Sequence, residues 1–179
     1  IKRPSAAGRS WAVSLALLCG QELFVEPVPL VVNLHPGDEM AERYAERFMK
    51  WRQYSKQPFI MLIPRGGGLQ TRHAYDGEDE IFEAIEALQA LYPIDPARIY
   101  LMGYSMGAVA AQRIAAQTPD LFAGVIAIAG AGLAERVENL GPLPVWLYHG
   151  EKDTQVPPSF NLEWEAERKR LAAPGDLTL

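Results

Sequence analysis

The sequence contains little cysteine, little histidine and no long apolar run. A single cysteine, Cys19, excludes an internal disulfide, although it does not fix the cellular compartment. The three histidines are too few and too scattered to build a metal centre, so we expect neither a metal nor another cofactor. No stretch is long and apolar enough to span a bilayer.

Basic residues are also in the minority. The chain has 17 Lys and Arg against 22 Asp and Glu, and its net charge of −5 argues against a nucleic-acid-binding surface. Hydrophobic residues make up 49% of the chain, an ordinary value for a globular protein. With 179 residues and no internal boundary, we expect a single domain over residues 1–179. Nothing in the sequence indicates an oligomeric state.

The N-terminus allows two interpretations. Basic residues precede an apolar run over residues 11–18, which resembles a signal peptide with a short apolar region. The same run alternates in a way typical of a strand. Little room is left for a linker before the next strand, which favours the strand. Cytoplasmic and secreted locations both stay open.

Apolar strands alternate with amphipathic helices along the chain. Strict alternation predicts a three-layer α/β fold, in which a mostly parallel sheet carries helices on both faces. The predicted strands cover residues 29–35, 58–63, 98–102, 124–129 and 144–149, with a last strand beginning at residue 177, and the predicted helices cover residues 38–51, 77–92, 105–117 and 158–171.

The most informative motif is Gly-x-Ser-x-Gly over residues 103–107. An apolar strand precedes it and an Ala-rich helix follows, which is the context in which this motif forms a nucleophile elbow. Gly103 and Gly107 lack the Cβ atoms that would collide across so tight a turn. The turn predicts an exposed hydroxyl on Ser105 and a backbone N–H of Met106 that faces an oxyanion.

Three predicted strands end in polar clusters, at residues 34–38, at the elbow and at residues 149–153. Parallel sheets collect reactive groups at such ends. The chain resembles the α/β-hydrolases, and within them the esterase and prolyl-oligopeptidase-like branch. The resemblance covers roughly residues 28–179 and is carried by residues 30–37, 93–100, 103–107 and 149–157.

The resemblance implies that Ser105 is the nucleophile and Asp153 the acid of a catalytic triad, in the chain order that this fold uses. Glu151 is a weaker rival for the acid. The alternative role of Asp153 is to cap the turn that leads into Pro157.

The triad base poses a problem, because all three histidines precede Asp153. In the resembling family the catalytic histidine follows the last strand, so we expect a chain truncated at its C-terminus, with the last strand and helix incomplete. The resemblance makes His149 structural. It places His35 in the oxyanion loop, which it would brace through its ring. His73 would either border the substrate or lie in a solvated loop, and we favour the solvated loop.

The oxyanion loop departs from the family's commoner His-Gly-Gly pattern. Pro36 has no N–H to donate, so the first donor is expected from Gly37 or Asp38 and the second from Met106. The glycines at 66–68 lack the Lys-Ser/Thr of a phosphate loop and fit a mobile loop over the active site better. The resemblance implies substrate contacts near this region, and the candidates are His35, Arg65, His73, Tyr75, Asp76 and Tyr104.

These features predict a serine hydrolase that cleaves a carboxylic ester, or an amide, through an acyl-enzyme. The expected substrate is a small ester or a peptide-like molecule. Two alternatives stay open: a non-catalytic binding protein of the same fold, and an acyltransferase that shares the acyl-enzyme. An intact elbow argues against the first, since binding alone needs no strained serine.

Overall fold

The computed structural model describes residues 15–19, 26–51, 54–67, 73–74, 76–171 and 177–178. Seven strands form one sheet: β1 (Leu15–Cys19), β2 (Val28–Leu34), β3 (Phe59–Ile63), β4 (Ile94–Tyr104), β5 (Gly124–Ile128), β6 (Val145–Tyr148) and β7 (Leu177–Thr178). Four α-helices accompany them: α1 (Ala41–Trp51), α2 (Asp76–Leu91), α3 (Met106–Gln117) and α4 (Ser159–Arg170). In this part of the chain, no helix combines the length and apolarity needed to cross a membrane.

The strand order is β1-β3-β2-β4-β5-β6-β7. Strand β1 pairs with β3 in the antiparallel direction, and every other pair is parallel. The predicted mostly parallel sheet is therefore confirmed. The strand interpretation of the N-terminal apolar run is supported by β1, although residues 11–14 lie outside the described part. The carboxyl ends of β2, β4 and β6 share one edge, which is where the sequence places its polar clusters.

The first face of the sheet is buried across its width. Alternate residues of β2, β4, β5 and β6 join one core with the apolar sides of helices α2 and α3. The fully buried residues of this core include Leu30, Val32, Leu34, Ile81, Ile99, Leu101, Ile114, Val125 and Leu147. Apolar burial on this scale is the main stabilising contribution to such a fold.

The second face is covered over β2 and β3, where Tyr44 and Ala45 of α1 form a second cluster with Met61 and Ile63. Over β4 to β6 its residues stand in register and are partly exposed. They form two rows, Met102–Ile126–Trp146 and Tyr104–Ile128–Tyr148. We call these six residues the open face.

Several boundaries differ from prediction, each for a local reason. Helix α1 begins at Ala41 rather than at residue 38, because the carboxylate of the buried Glu39 turns inward to meet Arg47 at 3.0 Å. Strand β4 begins at Ile94 rather than at residue 98, and its register with β2 shifts where Asp95 binds Arg98 at 2.6 Å. Two 3-10 helices, Pro119–Leu121 and Ala134–Leu140, were not predicted.

Candidate functional site

The predicted elbow is present between β4 and α3. Ser105 adopts φ 53° and ψ −117°, a left-handed conformation that non-glycine residues rarely occupy. Its backbone N–H donates to the carbonyl of Ile128 at 2.8 Å, which ties the turn to the end of β5. Its side chain makes no capping hydrogen bond to α3, so the hydroxyl is not used to stabilise the helix. Strain of this kind persists only where the surrounding structure enforces it.

Glycine is required on both sides of the serine, as the sequence predicted. A Cβ atom on Gly103 would lie 2.1 Å from the carbonyl oxygen of Gly107, and a Cβ on Gly107 would lie 2.2 Å from the carbonyl oxygen of Leu34. These partners are backbone atoms that cannot move aside. A third glycine escaped the sequence reasoning. A Cβ on Gly130 would meet the Cβ of Ala108 at 2.5 Å, so the loop after β5 passes directly against the elbow helix.

The N-terminus of α3 offers the first candidate oxyanion donor. Met106 is the first residue of the helix, and the N–H groups of a first helical turn have no intrahelical acceptor. Gly37 lies beside it, since a Cβ on Gly37 would be 3.3 Å from the Sδ atom of Met106. Gly37 is half-buried, whereas Asp38 is exposed.

His35 orients the peptide unit that carries the N–H of Gly37. Its ring is fully buried, and its Nδ1 atom lies 2.8 Å from the carbonyl oxygen of Pro36. The C=O and N–H of a trans peptide point in opposite directions, so the Gly37 N–H is turned away from the His35 ring. The Nε2 atom of the same ring lies 3.1 Å from the carbonyl oxygen of Arg65. The expected bracing role of this ring agrees with these contacts.

His73 is fully buried, so the favoured solvated-loop interpretation was wrong. Its Nε2 atom lies 3.0 Å from the carbonyl oxygen of His35, and the two imidazole rings meet edge to face at 4.5 Å. Desolvation lowers the pKa of His73 to about 4, so the ring is neutral at physiological pH. His73 is buried through its contacts with His35 and Gly66, which no local pattern in the sequence shows.

Arg113 joins this cluster from helix α3. Its Nη2 atom donates to the carbonyl oxygen of His73 at 2.5 Å and lies 3.5 Å from the carboxylate of Glu78 on α2. Sequence reasoning missed this residue. The available signal was a lone arginine in the otherwise small and apolar run of the elbow helix.

Asp153 lies five residues past β6, in the loop before α4. Its Oδ1 atom accepts hydrogen bonds from the N–H groups of Gln155 at 2.8 Å and Val156 at 3.0 Å. These bonds lower the pKa of the carboxyl group below its usual range, with a smaller contribution from His149. The turn-capping alternative therefore describes what Oδ1 does. Its Oδ2 atom lies 3.3 Å from Nε2 of His149.

The ring of His149 is held on both sides. Its Nε2–H donates to the carbonyl oxygen of Val156 at 2.8 Å, and its Nδ1 atom accepts from the side-chain amide of the buried Asn161 at 2.7 Å. The side chain is only 4% exposed. These contacts fit the structural role expected for His149, because they join β6, the Asp153 loop and helix α4.

The other predicted contact residues are less closely gathered. Tyr104 is 40% exposed at the end of β4, next to Ser105. Arg65 forms an ion pair with Glu42 at 3.1 Å. Asp76 begins helix α2 and is exposed. Tyr75 and residues 68–72 lie outside the described residues.

The Arg65 end of the loop predicted to be mobile is anchored. Gly66 is buried with φ 56°, and its carbonyl oxygen accepts the N–H of His73 at 2.9 Å. The N–H of Gly67 donates to the carboxylate of Glu80 at 3.1 Å. These hydrogen bonds join Gly66 to His73 within the loop and Gly67 to Glu80 of α2, while mobility of the loop stays a prediction.

Comparison with known proteins agrees with this geometry. Residues 69–136, which include the elbow, match the model of the prolyl oligopeptidase family. The chain is 26% identical over 129 residues to the bifunctional acetylxylan esterase/xylanase XynS20E of Neocallimastix patriciarum, covering 70% of this chain and 19% of that protein. It is 36% identical over 75 residues to the putative esterase NocK of Nocardia uniformis subsp. tsuyamanensis, and the match covers 41% of this chain and 22% of that protein.

A solved thermostable esterase shows the same fold. Its TM-score is 0.72 at 21% identity, over 91% of this chain and 49% of that one. The chain thus spans about a fifth of the length of the two curated relatives and about half of this structure. Three findings point to the same fold. They are the strained serine between a parallel strand and a helix, the polar strand ends beside it, and these matches. The chain has the α/β-hydrolase fold, and its similarities support the esterase and prolyl-oligopeptidase-like branch of that fold.

Proposed function

We propose that this protein is a serine hydrolase that cleaves carboxylic esters through an acyl-enzyme. The observation that carries the proposal is the strained backbone of Ser105 at the elbow, which leaves its hydroxyl free of any cap bond to the helix. Such strain has a cost that a purely structural turn would avoid. In the proposed reaction, the Oγ atom of Ser105 attacks the ester carbonyl, the alcohol leaves, and water releases the acid from the acyl-enzyme.

Two backbone N–H groups would stabilise the tetrahedral intermediate. We assign one to Met106 at the start of α3 and the other to Gly37. Gly37 is favoured over Asp38 because His35 fixes its peptide unit and because it lies against Met106. Donors aimed at the developing negative oxygen are commonly the largest electrostatic contribution to acyl transfer.

Asp153 is the proposed triad acid. Its loop is held by two amide bonds to Oδ1, so the carboxylate stays charged and has a fixed orientation. A charged, fixed carboxylate can hold an imidazole in one tautomer and stabilise the imidazolium that forms. Glu151 is exposed, and no comparable set of hydrogen bonds supports it as the acid.

The proposed base is a histidine outside these 179 residues. The rings of His35 and His73 are fully buried, and both bind backbone carbonyl oxygens of the oxyanion and Arg65 loops. His149 has a partner on each ring nitrogen. A base must be free to take the proton of Ser105 and to return it to the leaving group, and none of the three is placed to do so.

An ester is favoured over an amide as substrate. The two curated relatives and the thermostable esterase carry esterase names, and the first is described as an acetylxylan esterase. An acetyl or similarly small acyl group on an alcohol is therefore the substrate class to test first. An acyltransferase would form the same acyl-enzyme and would differ only in using an alcohol in place of water.

The test is ester hydrolysis by the complete protein and two serine variants. We expect the complete protein to hydrolyse an activated aryl acetate, and Ser105→Ala to lower kcat by a factor of roughly 10⁴–10⁶, as for other triad serines. Ser159→Ala is the matched control, since this exposed residue begins helix α4, and it should keep wild-type turnover. Activity that survives Ser105→Ala would overturn the proposal. Added alcohol separates a hydrolase from an acyltransferase by product analysis.

A further inference from the structure

The cluster around His73 is larger than a structural turn requires. It brings together the loop after β2, the loop after β3 and the elbow helix α3, which are distant in sequence. Four groups take part besides His73 itself, namely His35, Gly66, Glu78 and Arg113. The cluster lies beside the proposed nucleophile, because α3 begins directly after Ser105.

We propose that His73 is a positioning residue that aims the oxyanion-hole N–H of Gly37, with Arg113 holding it in place from the elbow helix. This inference rests on the proposed hydrolase function and adds a role that the catalytic triad does not contain. His73 touches neither the substrate nor the reacting atoms in this account. It acts through the backbone of His35.

The contacts form a continuous chain from His73 to the oxyanion hole. Nε2 of His73 donates to the carbonyl oxygen of His35 at 3.0 Å. Because a carbonyl oxygen can only accept, the proton of the neutral ring sits on Nε2. In the proposed arrangement, the His35 proton lies on Nδ1, which donates to the carbonyl oxygen of Pro36 at 2.8 Å and so sets the direction of the Gly37 N–H in the same peptide unit. Pro36 has no N–H, so it cannot donate in place of Gly37.

His73 is itself fixed from three sides. Its backbone N–H donates to the carbonyl oxygen of Gly66 at 2.9 Å, and its own carbonyl oxygen accepts from Arg113 at 2.5 Å. Its ring lies so close to Gly66 that a Cβ atom there would be 1.9 Å from Nδ1. Arg113 belongs to the helix whose first N–H is the other oxyanion donor. The cluster therefore connects the Gly37 donor to helix α3, which carries the Met106 donor.

The environment keeps the ring neutral, which the role requires. Nδ1 of His73 is buried, and no described residue forms a hydrogen bond with it, so among these residues a proton there would find no acceptor. The charged and titratable groups that face the ring are Arg113, Glu78 behind it, and His35. Burial is the main cause of the lowered pKa of His73; the hydrogen bond to the carbonyl oxygen of His35 raises that pKa, and the weaker electrostatic effects of His35 and Arg113 lower it.

The experiment measures kinetics of the complete enzyme and three variants on an aryl acetate. His73→Leu removes the donor, His73→Gln keeps an N–H near the position of Nε2, and Ile85→Ala is a control that weakens the core at α2 away from the elbow. We expect His73→Leu to lower kcat by roughly 10²-fold with KM changed less than about threefold, since a misaimed oxyanion donor acts mainly in the transition state. His73→Gln should recover most of the loss, and Ile85→Ala should keep kcat.

A second measurement needs no variant. Nitrogen NMR of the wild-type imidazoles should show His73 as a neutral ring with its proton on Nε2 throughout pH 5–8. A His73 that titrates near its ordinary pKa of about 6.5, or that carries the proton on Nδ1, would overturn the inference.

The outcomes separate this inference from the proposed function. An active wild-type enzyme in which His73→Leu keeps kcat within about twofold, or in which Ile85→Ala causes the same loss, contradicts the positioning role alone. A wild-type enzyme that neither hydrolyses esters nor depends on Ser105 contradicts the proposed function, and the positioning role with it.

Discussion

Ser105 occupies a backbone conformation that its own side chain disfavours. Conformations of this type cost of the order of 1–3 kcal/mol each, and the surrounding structure must offset that cost. Here the offset comes from the hydrogen bond between the Ser105 N–H and Ile128, and from glycines at positions 103 and 107 that let three backbone segments approach closely. The arrangement fixes the backbone of Ser105 between the end of β4 and the start of α3.

His73 shows the opposite case, in which a residue's role depends on distant parts of the chain. Its neighbours in sequence indicate only a polar loop, and the solvated interpretation followed from that. In the structure it is buried and contacts His35, 38 positions earlier in the chain, and Arg113, 40 positions later. The elbow at Ser105 could be predicted from sequence because its motif is local, whereas the burial of His73 could not because its partners are distant in sequence.

The burial of His73 predicts a pH dependence of stability. Below about pH 6.5 the unfolded chain binds a proton on this ring, whereas the folded protein binds it only near pH 4. The unfolded state therefore holds more protons in this window, and the free energy of unfolding should fall as the pH falls. The contribution from this group should be about 3 kcal/mol at most between pH 7 and pH 4.

Urea unfolding of the wild type and of His73→Gln between pH 7 and pH 4.5 measures this contribution. Carboxylates and the other histidines titrate in both proteins, so the difference between the two isolates His73. We expect the difference in unfolding free energy to narrow as the pH falls. A difference that stays constant with pH would mean that His73 is not held neutral by burial.

At the scale of elements, most of the fold could be predicted from sequence. Strands β2, β3, β5 and β6 begin and end within one residue of their predicted bounds, because apolar runs between turn residues define them clearly. Helix α1 begins later than predicted, after the buried Glu39 that pairs with Arg47, and β4 begins earlier than predicted, at Ile94. Local side-chain pairs, Glu39 with Arg47 and Asp95 with Arg98, accompany the two differences.

The loop between β6 and α4 carries the proposed triad acid, and its geometry supports a sharp prediction. Asp153→Asn removes the charge but keeps an oxygen able to accept from Gln155 and Val156. The loop should therefore keep its shape, while turnover of an aryl acetate by the complete protein should fall by roughly 10⁴, the loss seen when a triad acid loses its charge. Circular dichroism and kcat measure the two effects separately.

Glu151→Gln is the matched control for this loop. Glu151 is exposed and lies two residues before Asp153, so its amide variant changes the same charge at nearly the same place. It should leave turnover close to that of the wild type. A loss below tenfold for Asp153→Asn together with a larger loss for Glu151→Gln would move the acid role to Glu151.

At the scale of the whole molecule, the open face leaves apolar side chains of the sheet partly exposed. Six residues of β4, β5 and β6 that stand in two rows are partly exposed, among them Trp146 and Tyr148, the latter 54% exposed. Exposed apolar surface of this kind usually has a partner. We propose that further chain packs here and that it also supplies the base that His35, His73 and His149 do not provide.

The most direct measurement is the reaction of a fluorophosphonate probe with the complete protein and with the 179-residue chain, followed by peptide mapping. We expect a stoichiometric adduct on Ser105 in the complete protein, none in Ser105→Ala, and much slower labelling of the shorter chain, which lacks the proposed base. An adduct on Ser159 or Ser55 would contradict the assignment of the nucleophile. Equal rates for the two chains would show that His35, His73 or His149 is the base after all.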